Sequence, residues 1–274
     1  MTASARPPLT RAVVIGVTGR MGRALLRAAP GFPQLLITGA IASASSLALG
    51  RDAGEVAGVG ITNLIVSDDL PAALAQADVA IDFSHGSVTA TTVEACRAAR
   101  RPLLIGTTGY APELDAQLAQ AAGEIALMVT ANTSVGVAVL MELTRRAAQA
   151  LPSAFDIDIL ELHHRGKRDA PSGTALALGR AAARGATLAP QGAAQAAPGE
   201  RSEGQVGFAT VRAGDIVGEH TVLFSGAGEE LILTHRAQTR DIFARGALAA
   251  ALWLAPRPPG RYGMTDFIGE KTLA

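Results

Sequence analysis

The residues best suited to chemistry are concentrated in one polar run, Glu161–Thr174. Two adjacent histidines, His163 and His164, precede several cationic side chains that include Lys167. An imidazole titrates near pH ~6.5, so these histidines can carry protons close to neutrality. The run ends in Pro-Ser-Gly-Thr before an alanine-rich helical pattern, and a helix start offers N–H donors to an anion. The run therefore predicts a site for a small anion with proton transfer.

The start of that helix needs a capping side chain, and either Ser172 or Asp169 could supply it. Metal binding is the alternative role for the paired histidines. Adjacent side chains on an extended strand point to opposite faces, and no cysteine lies near them in the sequence, so we expect no metal there. A solvated basic loop is a further alternative, although solubility alone would not require a helix start beside it.

A glycine-rich turn, Gly16-Val-Thr-Gly-Arg-Met-Gly22, follows the first apolar run and opens the first helical pattern. Glycines at such a turn let backbone N–H groups approach a pyrophosphate. The spacing is G-x-x-G-x-x-G, so an ordinary strand-to-helix turn is the alternative. The predicted cofactor-binding residues of this turn are Gly16, Val17, Thr18, Gly19, Arg20 and Met21.

The end of the second predicted strand bears on which nucleotide binds. An acidic residue there would bind the ribose hydroxyls and favour NAD, but the segment Ala42–Ser46 has none. Small hydroxyl side chains leave room for a 2′-phosphate, which Ser43, Ser45 or Arg51 could contact. We therefore expect NADPH as the cofactor, with NADH as the alternative, unless these serines are plain loop residues.

Two later strand ends also carry small polar residues. In an open parallel sheet the ligand lies beyond the carboxyl ends of the strands, so both loops should line the cofactor. Asn132 could bind a carboxamide, although helix capping would explain the same residue types. The predicted cofactor-binding residues of these loops are Gly106, Thr107, Thr108, Thr130, Ala131, Asn132 and Thr133.

Strand and helix patterns alternate up to about Asn132, which predicts an α/β fold with a doubly wound parallel sheet. Beyond it, period-2 alternation over Phe155–His163 and three later strand-like runs indicate an α+β region with a mainly antiparallel sheet. Thr187–Gln205 is rich in Ala, Gly, Pro and Gln, which predicts a mobile loop. The remaining predicted strands are 11–16, 35–42, 78–83, 102–106, 125–130, 207–212, 219–224 and 230–235, and the predicted helices are 21–29, 87–100, 113–122, 135–149, 175–183 and 243–254.

Composition excludes several classes of protein. Lys plus Arg and Asp plus Glu both number 24, and a net charge of zero argues against non-specific nucleic-acid binding. The single cysteine, Cys96, excludes an intramolecular disulfide. No apolar run approaches the ~20 residues of a membrane span, and the N-terminus does not resemble a secretory signal. We therefore expect a cytoplasmic protein that does not bind membranes.

The segment Glu161–Ala175 resembles the signature of the dihydrodipicolinate reductase family, E-x-H-H-x-x-K-x-D-x-P-S-G-T-A. The resemblance runs from about Val13 to Asp266, and the His-His and Gly-Glu-His motifs are its most specific parts. Further similar stretches are Gly19–Gly22, Asp82–Phe83, Gly106–Gly109, Asn132–Gly136 and Gly207–His220.

The resemblance implies NAD(P)H-dependent reduction of 4-hydroxy-tetrahydrodipicolinate, a small dicarboxylate, to tetrahydrodipicolinate with loss of water, in lysine and diaminopimelate biosynthesis. It implies a Rossmann-like dinucleotide-binding domain, residues 1–132 and 242–274, and a substrate-binding domain, residues 133–241, that builds a homotetramer. It assigns proton transfer to His163 and proton donation to Lys167. The substrate-binding positions that it implies are His164, Gly173 and Thr174.

Two other functions remain open from the sequence. Another two-domain reductase, such as an aspartate-type dehydrogenase, would share the nucleotide half but should lack the His-His-x-x-Lys run before Pro-Ser-Gly-Thr. A non-catalytic, NADPH-sensing protein would need no set of proton donors. The polar run favours the reductase over both.

Overall fold

A computed structural model describes residues 9–111, 113–188, 194–195, 201 and 204–271. The chain forms two compact units. Unit 1 comprises Met1–Ser134 and Asp241–Ala274, and unit 2 comprises Val135–Arg240. Unit 2 is therefore inserted between two stretches of unit 1.

The described residues form strands and helices, joined in places by short 3-10 turns at Ala29–Gly31 and Gly86–Val88. The strands are β1 (Thr10–Ile15), β2 (Leu35–Ile41), β3 (Val66–Ser67), β4 (Val79–Asp82), β5 (Leu103–Ile105), β6 (Ala126–Val129), β7 (Asp156–His163), β8 (Ala194–Gln195), β9 (Val206–Arg212), β10 (Gly218–Gly226), β11 (Glu229–Ala237) and β12 (Gly260–Tyr262). The helices are α1 (Arg20–Ala28), α2 (Ala53–Ala57), α3 (Leu70–Ala75), α4 (Thr89–Ala98), α5 (Leu114–Ala122), α6 (Val135–Ala150), α7 (Gly173–Gly185), α8 (Asp241–Leu254) and α9 (Met264–Lys271).

The sheet of unit 1 has seven strands in the order β12-β6-β5-β4-β1-β2-β3, and every pairing is parallel. Val13 and Ile15 of β1 pack in one core with side chains of α3, α4 and α5. Helix α8 packs against α1 and contacts β4, β5 and β6. Strands covered in this way are apolar on both faces, as the sequence of β4 and β5 predicts. The predicted doubly wound parallel sheet is confirmed.

The order of these strands reverses at β1. Strands β2 and β3 lie on one side of it, and β4, β5 and β6 lie on the other. In an open parallel sheet, the loops that follow the strands at such a reversal diverge and leave a crevice that binds ligands. Gly16 follows β1 and Phe83 follows β4, so the turn that the sequence singled out lies at this point.

Unit 2 contains a mixed sheet in the order β11-β10-β7-β9-β8. Strand β10 pairs antiparallel with β7 and β11, whereas β7 and β9 are parallel. The pairings between its long strands are therefore mostly antiparallel, as predicted. The buried residues of β7 alternate with more exposed ones, which places Ile157, Ile159, Glu161 and His163 on the same face. The two isoleucines of that face belong to a core with residues of α6 and α7.

The structure adds short elements that the sequence patterns did not predict: α2, α3, β3, β8, β12 and α9. Strands β3 and β12 contain two and three residues, too few for a periodic pattern, and they form by pairing with β2 and β6. Within Thr187–Gln205, Ala194–Gln195 form β8, and residues 189–193, 196–200 and 202–203 lie outside the described part of the chain. None of the described helices has the length and apolar character needed to cross a membrane.

Candidate active site

The glycine-rich turn of unit 1 requires glycine for two steric reasons. Gly16 has φ +82°, and a Cβ on it would lie 2.6 Å from the carbonyl oxygen of Phe83. A Cβ on Gly22 would lie 2.3 Å from the carbonyl oxygen of Gly16. Helix α1 therefore starts in direct contact with the turn, and this closeness brings backbone rather than side chains to the crevice.

Not every N–H group of this turn is available to a ligand. The N–H groups of Gly16 and Val17 donate to the carbonyl oxygen of Ile41 at 2.9 and 3.0 Å, and the side chain of Val17 is buried. Gly19 supplies no side-chain cap to α1, and the first turn of α1 has no acidic residue. The positive end of α1, from Arg20 and Met21 onward, is thus the part of the turn that favours a phosphate.

Buried Asp82 joins the loops that follow β4 and β5. Its Oδ1 accepts hydrogen bonds from the N–H of Ser84 at 2.8 Å and from the hydroxyl of Thr107 at 3.2 Å. Burial raises the pKa of Asp82, against the smaller lowering effect of these hydrogen bonds. Thr107 is buried and holds the two loops together, whereas the next residue, Thr108, is exposed. The ring of Phe83 packs against Gly106, where a Cβ would lie 2.1 Å from it.

The loop after β6 is ordered by its own polar side chains. The hydroxyl of Thr130 donates to the carbonyl oxygen of Asn132 at 2.8 Å, and Asn132 Oδ1 accepts from the N–H of Ser134 at 2.9 Å. The buried hydroxyl of Thr133 donates to the carbonyl oxygen of Phe243 at 2.7 Å and so ties this loop to α8. Ala131 is exposed. After β2, exposed Ser43 and Ser45 have hydroxyl oxygens 3.2 Å apart.

In unit 2, three strands bring polar side chains together on one face of the sheet. On β7, Glu161 and His163 are buried neighbours in the alternating pattern. His220 of β10 lies opposite Glu161, and Arg212 of β9 lies opposite His163. We call these four residues, with Ser172, the Glu161 cluster.

The carboxylate of Glu161 is the centre of this cluster. Its Oε1 accepts from the N–H of Ser172 at 3.0 Å and from Arg212 Nη2 at 2.7 Å. Its Oε2 lies 3.2 Å from His163 Nδ1 and 3.8 Å from His220 Nε2. The two imidazole rings meet edge to face, with centroids 5.0 Å apart.

Burial and hydrogen bonding shift the pKa of Glu161 in opposite directions. Burial would raise the pKa of Glu161, but contacts from His163, Ser172 and Arg212 outweigh it and hold that pKa well below its usual range. Burial, and to a lesser degree His163, lower the pKa of His220 to about 4. At neutral pH the cluster therefore contains a carboxylate anion, a guanidinium and a neutral His220.

Lys167 lies in the loop between β7 and α7. Its Nζ donates to both carboxylate oxygens of Asp169, at 2.8 and 2.9 Å. Burial opposes the effect, but the bond from Lys167 lowers the pKa of Asp169. The carbonyl oxygen of Asp169 in turn accepts from Arg212 Nη2 at 2.6 Å, so one guanidinium contacts both this loop and Glu161.

Two of the predicted substrate-binding residues, Gly173 and Thr174, are the first residues of α7. Ser172 is the N-cap, and its hydroxyl accepts from the N–H of Ala175 at 3.1 Å. Asp169, the other capping candidate, pairs with Lys167 instead. Gly173 is exposed, and Thr174 and His164 are half-buried.

Glu161, His163 and His220 present nitrogen and oxygen atoms that all lie within 4.8 Å of one another, an arrangement that could hold a metal ion. The two histidines of this group are therefore His163 and His220, and not the pair His163 and His164 that is adjacent in the sequence. Arg212, bound to the same carboxylate, places a positive charge beside the position that a cation would take. Electrostatics therefore disfavour a divalent cation there.

Sequence reasoning assigned no role to Glu161, Arg212 or His220. The alternation of β7 was a usable signal for Glu161, because it places a carboxylate on the buried face beside His163. His220 belongs to the Gly-Glu-His motif, which was recognised without a function. Arg212 lies within the family-like stretch Gly207–His220, but no local pattern places it beside Glu161, because its position follows from the pairing of β9 with β7.

Comparison with known proteins identifies the family. Residues 10–133 match the family model described as Dihydrodipicolinate reductase, N-terminus, and residues 136–268 match the one described as Dihydrodipicolinate reductase, C-terminus. The chain is 46% identical over 265 residues to a 4-hydroxy-tetrahydrodipicolinate reductase of Anaeromyxobacter dehalogenans, covering 95% of this chain and 98% of the relative. It is 48% identical over 264 residues to the enzyme of the same name from Alkalilimnicola ehrlichii, covering 95% and 99%.

Among solved structures, the chain resembles a dipicolinate-bound dihydrodipicolinate reductase from Paenisporosarcina sp. TG-14. The TM-score is 0.75 at 21% identity, over 93% of this chain and 97% of the other. That likeness supports the fold, and the family models and the relatives at 46% and 48% identity support the family. The chain belongs to the dihydrodipicolinate reductase family.

Proposed function

We propose that this protein reduces 4-hydroxy-tetrahydrodipicolinate to tetrahydrodipicolinate with loss of water, in lysine and diaminopimelate biosynthesis. The reaction consumes one hydride and one proton and releases one water. The observation that carries the proposal is the grouping of His163, Lys167 and the start of α7 around β7, in a member of this family. This grouping supplies proton carriers and anion-binding groups within unit 2.

Unit 1 fits a pyridine nucleotide. The positive end of α1 and the close contact between Gly22 and Gly16 suit a pyrophosphate, which would be held by Gly16–Met21. Residues 106–108 and 130–133 would hold the rest of the cofactor, in part through backbone groups, because the hydroxyls of Thr107 and Thr133 bind protein atoms. When bound, the nicotinamide supplies the hydride.

We propose NADPH rather than NADH as the preferred cofactor. No acidic residue follows β2, and exposed Ser43, Ser45 and Arg51 leave space and positive charge for a 2′-phosphate. A carboxylate at this position would repel that phosphate.

Unit 2 would bind the dicarboxylate substrate at the start of α7. Gly173 and Thr174 form the positive end of this helix, where backbone N–H groups can donate to an anion, and His164 would add a further contact. Carboxylates bind favourably in such places because charge-assisted hydrogen bonds are stronger than neutral ones.

Reduction of the conjugated imine leaves an enamine that must be protonated. We propose Lys167 as the donor, because its side chain is partly exposed while that of His163 is buried against Glu161. Asp169 holds the ammonium group in place until the substrate binds. His163 then transfers protons within the site.

The test is an activity assay with 4-hydroxy-tetrahydrodipicolinate made in situ from pyruvate and aspartate semialdehyde. The oxidation of NADPH reports the rate of reduction. Lys167→Ala should lower kcat by at least ~10²-fold and leave NADPH affinity nearly unchanged, as expected when a general acid is lost. Arg184→Ala removes an exposed cation at the far end of α7 and should change neither. Near-normal turnover of the Lys167 variant would contradict the assignment.

We further propose that unit 2 assembles the protein as a homotetramer. Leu231 and Ile232 of β11 are 38% and 56% exposed, and Val139 and Leu143 of the neighbouring α6 are 41% and 46% exposed. Strand β11 lies at the edge of its sheet, and its outer edge has no partner strand among the described residues. Apolar side chains beside an open strand edge favour association with another copy.

A further inference from the structure

Glu161 contacts both parts of the candidate site in unit 2. Its Oε1 accepts from the N–H of Ser172, the residue that caps α7. Its Oε2 lies 3.2 Å from Nδ1 of His163. One side chain, 1% exposed, therefore lies between the helix start that would bind a carboxylate and the imidazole that would move a proton.

We propose that Glu161 is a positioning residue, which fixes the start of α7 through one carboxylate oxygen and the tautomer and orientation of His163 through the other. The proposal rests on the function proposed above, because it assigns His163 a part in proton transfer. Glu161 itself is buried behind His163, so its effect on the reaction is exerted through its neighbours.

The unpartnered atoms of the cluster support this role. Glu161 Oε2 and His163 Nδ1 are both buried, and neither has an aligned hydrogen bond among the described residues. Buried polar atoms rarely remain without a partner, and these two atoms lie 3.2 Å apart.

That contact decides which ring nitrogen is left for chemistry. A carboxylate beside Nδ1 favours the tautomer with its proton on Nδ1 and leaves Nε2 to accept or return one. Gly218 lies on this side of the ring, where a Cβ would be only 3.2 Å from Nε2. The absence of a side chain at Gly218 therefore preserves space around the reactive nitrogen.

Arg212 stabilises the buried carboxylate of Glu161. Its Nη2 contacts Glu161 Oε1 at 2.7 Å and the carbonyl oxygen of Asp169 at 2.6 Å. A buried charge is stable only when it is paired and hydrogen-bonded, and both conditions hold here. Through Arg212 the carboxylate is also connected to the loop that carries Lys167.

Other titratable groups surround the pair and must be considered in any pH profile. Arg212 comes from β9, His220 from β10, and Lys167 and Asp169 from the loop after β7. His235 of β11, on the side of β10 away from β7, also lowers the pKa of His220. Burial lowers the pKa values of both His220 and His235, to about 4 for His220.

The decisive variant is Glu161→Gln, which keeps the size of the side chain and an acceptor for Ser172 but removes the charge. We expect kcat to fall by about 10-fold or more, with a smaller change in KM. Glu161→Asp, which keeps the charge on a shorter side chain, should restore kcat in part.

The matched control is Glu219→Gln. Glu219 pairs with Arg236 on the same sheet, outside the cluster, and its substitution should alter neither kcat nor KM. If Glu161→Gln melts below the assay temperature, Glu161→Asp carries the comparison, with a smaller fall in kcat and little change in KM as the expected result.

A second readout does not depend on turnover. The chain has five histidines, and the ¹⁵N NMR signals of their rings should show one imidazole whose tautomer differs between Glu161→Gln and the wild type, because an amide accepts the Nδ1 proton less strongly than a carboxylate. Unchanged ring signals in Glu161→Gln would overturn the positioning role. A wild-type protein that fails to reduce the substrate would overturn the proposed function, while the ring signals would still test the contact between Glu161 and His163.

Discussion

At the scale of single residues, polar side chains on a buried face are the most informative feature of unit 2. Strand β7 alternates as its sequence predicts, and the apolar positions Ile157 and Ile159 are followed on the same face by Glu161 and His163. Burying a carboxylate and an imidazole costs free energy unless partners are supplied. The partners come from β9, β10 and the start of α7.

The choice of nucleotide also belongs to single residues. Arg51→Ala should raise KM for NADPH by about 10-fold, because a charge-assisted hydrogen bond to a phosphate contributes about 1.5 kcal/mol. KM for NADH should change less than about 2-fold, since that cofactor has no 2′-phosphate.

Steady-state kinetics with each nucleotide measures this difference. Arg261→Ala is the control, because Arg261 is an exposed arginine on β12, at the opposite edge of the same sheet. Equal effects of Arg51→Ala on the two nucleotides would remove Arg51 from the phosphate pocket.

At the scale of elements, the turn between β1 and α1 leaves no room for a side chain at Gly22. A Cβ on Gly22 would meet two backbone atoms, the carbonyl oxygen of Gly16 at 2.3 Å and Cα of Val17 at 2.5 Å. Gly22→Ala should therefore lower the free energy of unfolding by about 1–3 kcal/mol, the usual cost of overpacking. It should also weaken NADPH binding, because the start of α1 must move away from the turn.

Thermal melts with and without NADPH measure both effects. Gly269→Ala in α9 is the control, because a Cβ there meets no atom within 4 Å and alanine favours helix. A Gly22 variant as stable as the wild type, with an undiminished stabilisation by NADPH, would contradict the steric argument.

How far the sequence predicts these elements depends on their length and on the range of their contacts. Strands β1, β4 and β5 were predicted because their apolar runs reflect burial on both faces. Strands β3 and β12 were not, because two or three residues carry no period and owe their form to a neighbouring strand. The parallel pairing of β7 with β9 has no local signal either, so Arg212 could not be placed beside Glu161.

Part of the candidate site could likewise be predicted from the sequence. The polar run Glu161–Thr174 indicated its position, and Ser172 proved to be the cap that the run required. The pairing of Lys167 with Asp169 and the approach of His220 to Glu161 depend on the folded loop and on β10. Such contacts join residues that no spacing rule connects.

At the scale of the whole molecule, the proposed tetramer depends on the apolar surface of unit 2. Ile232→Asp should place a charge on the exposed apolar part of β11 and shift the protein to smaller species, because a buried unpaired charge is unfavourable at an interface. Sedimentation velocity measures the mass directly.

Ile61→Asp is the control, because Ile61 is 72% exposed and lies in unit 1, outside that surface. This variant should have the same mass as the wild type. An Ile232 variant with unaltered mass, or a wild type that sediments as a monomer, would contradict assembly through this surface.

The interruption of unit 1 by unit 2 has a consequence for biosynthesis on the ribosome. Helix α8, which contacts α1, β4 and β5, is made only after all of unit 2 has been synthesised. Until then the nascent N-terminal stretch cannot cover the sheet surface that α8 occupies, whereas unit 2 is already complete in sequence. Nascent chains that stall before Asp241 would thus expose apolar strands to aggregation and depend on chaperones for protection.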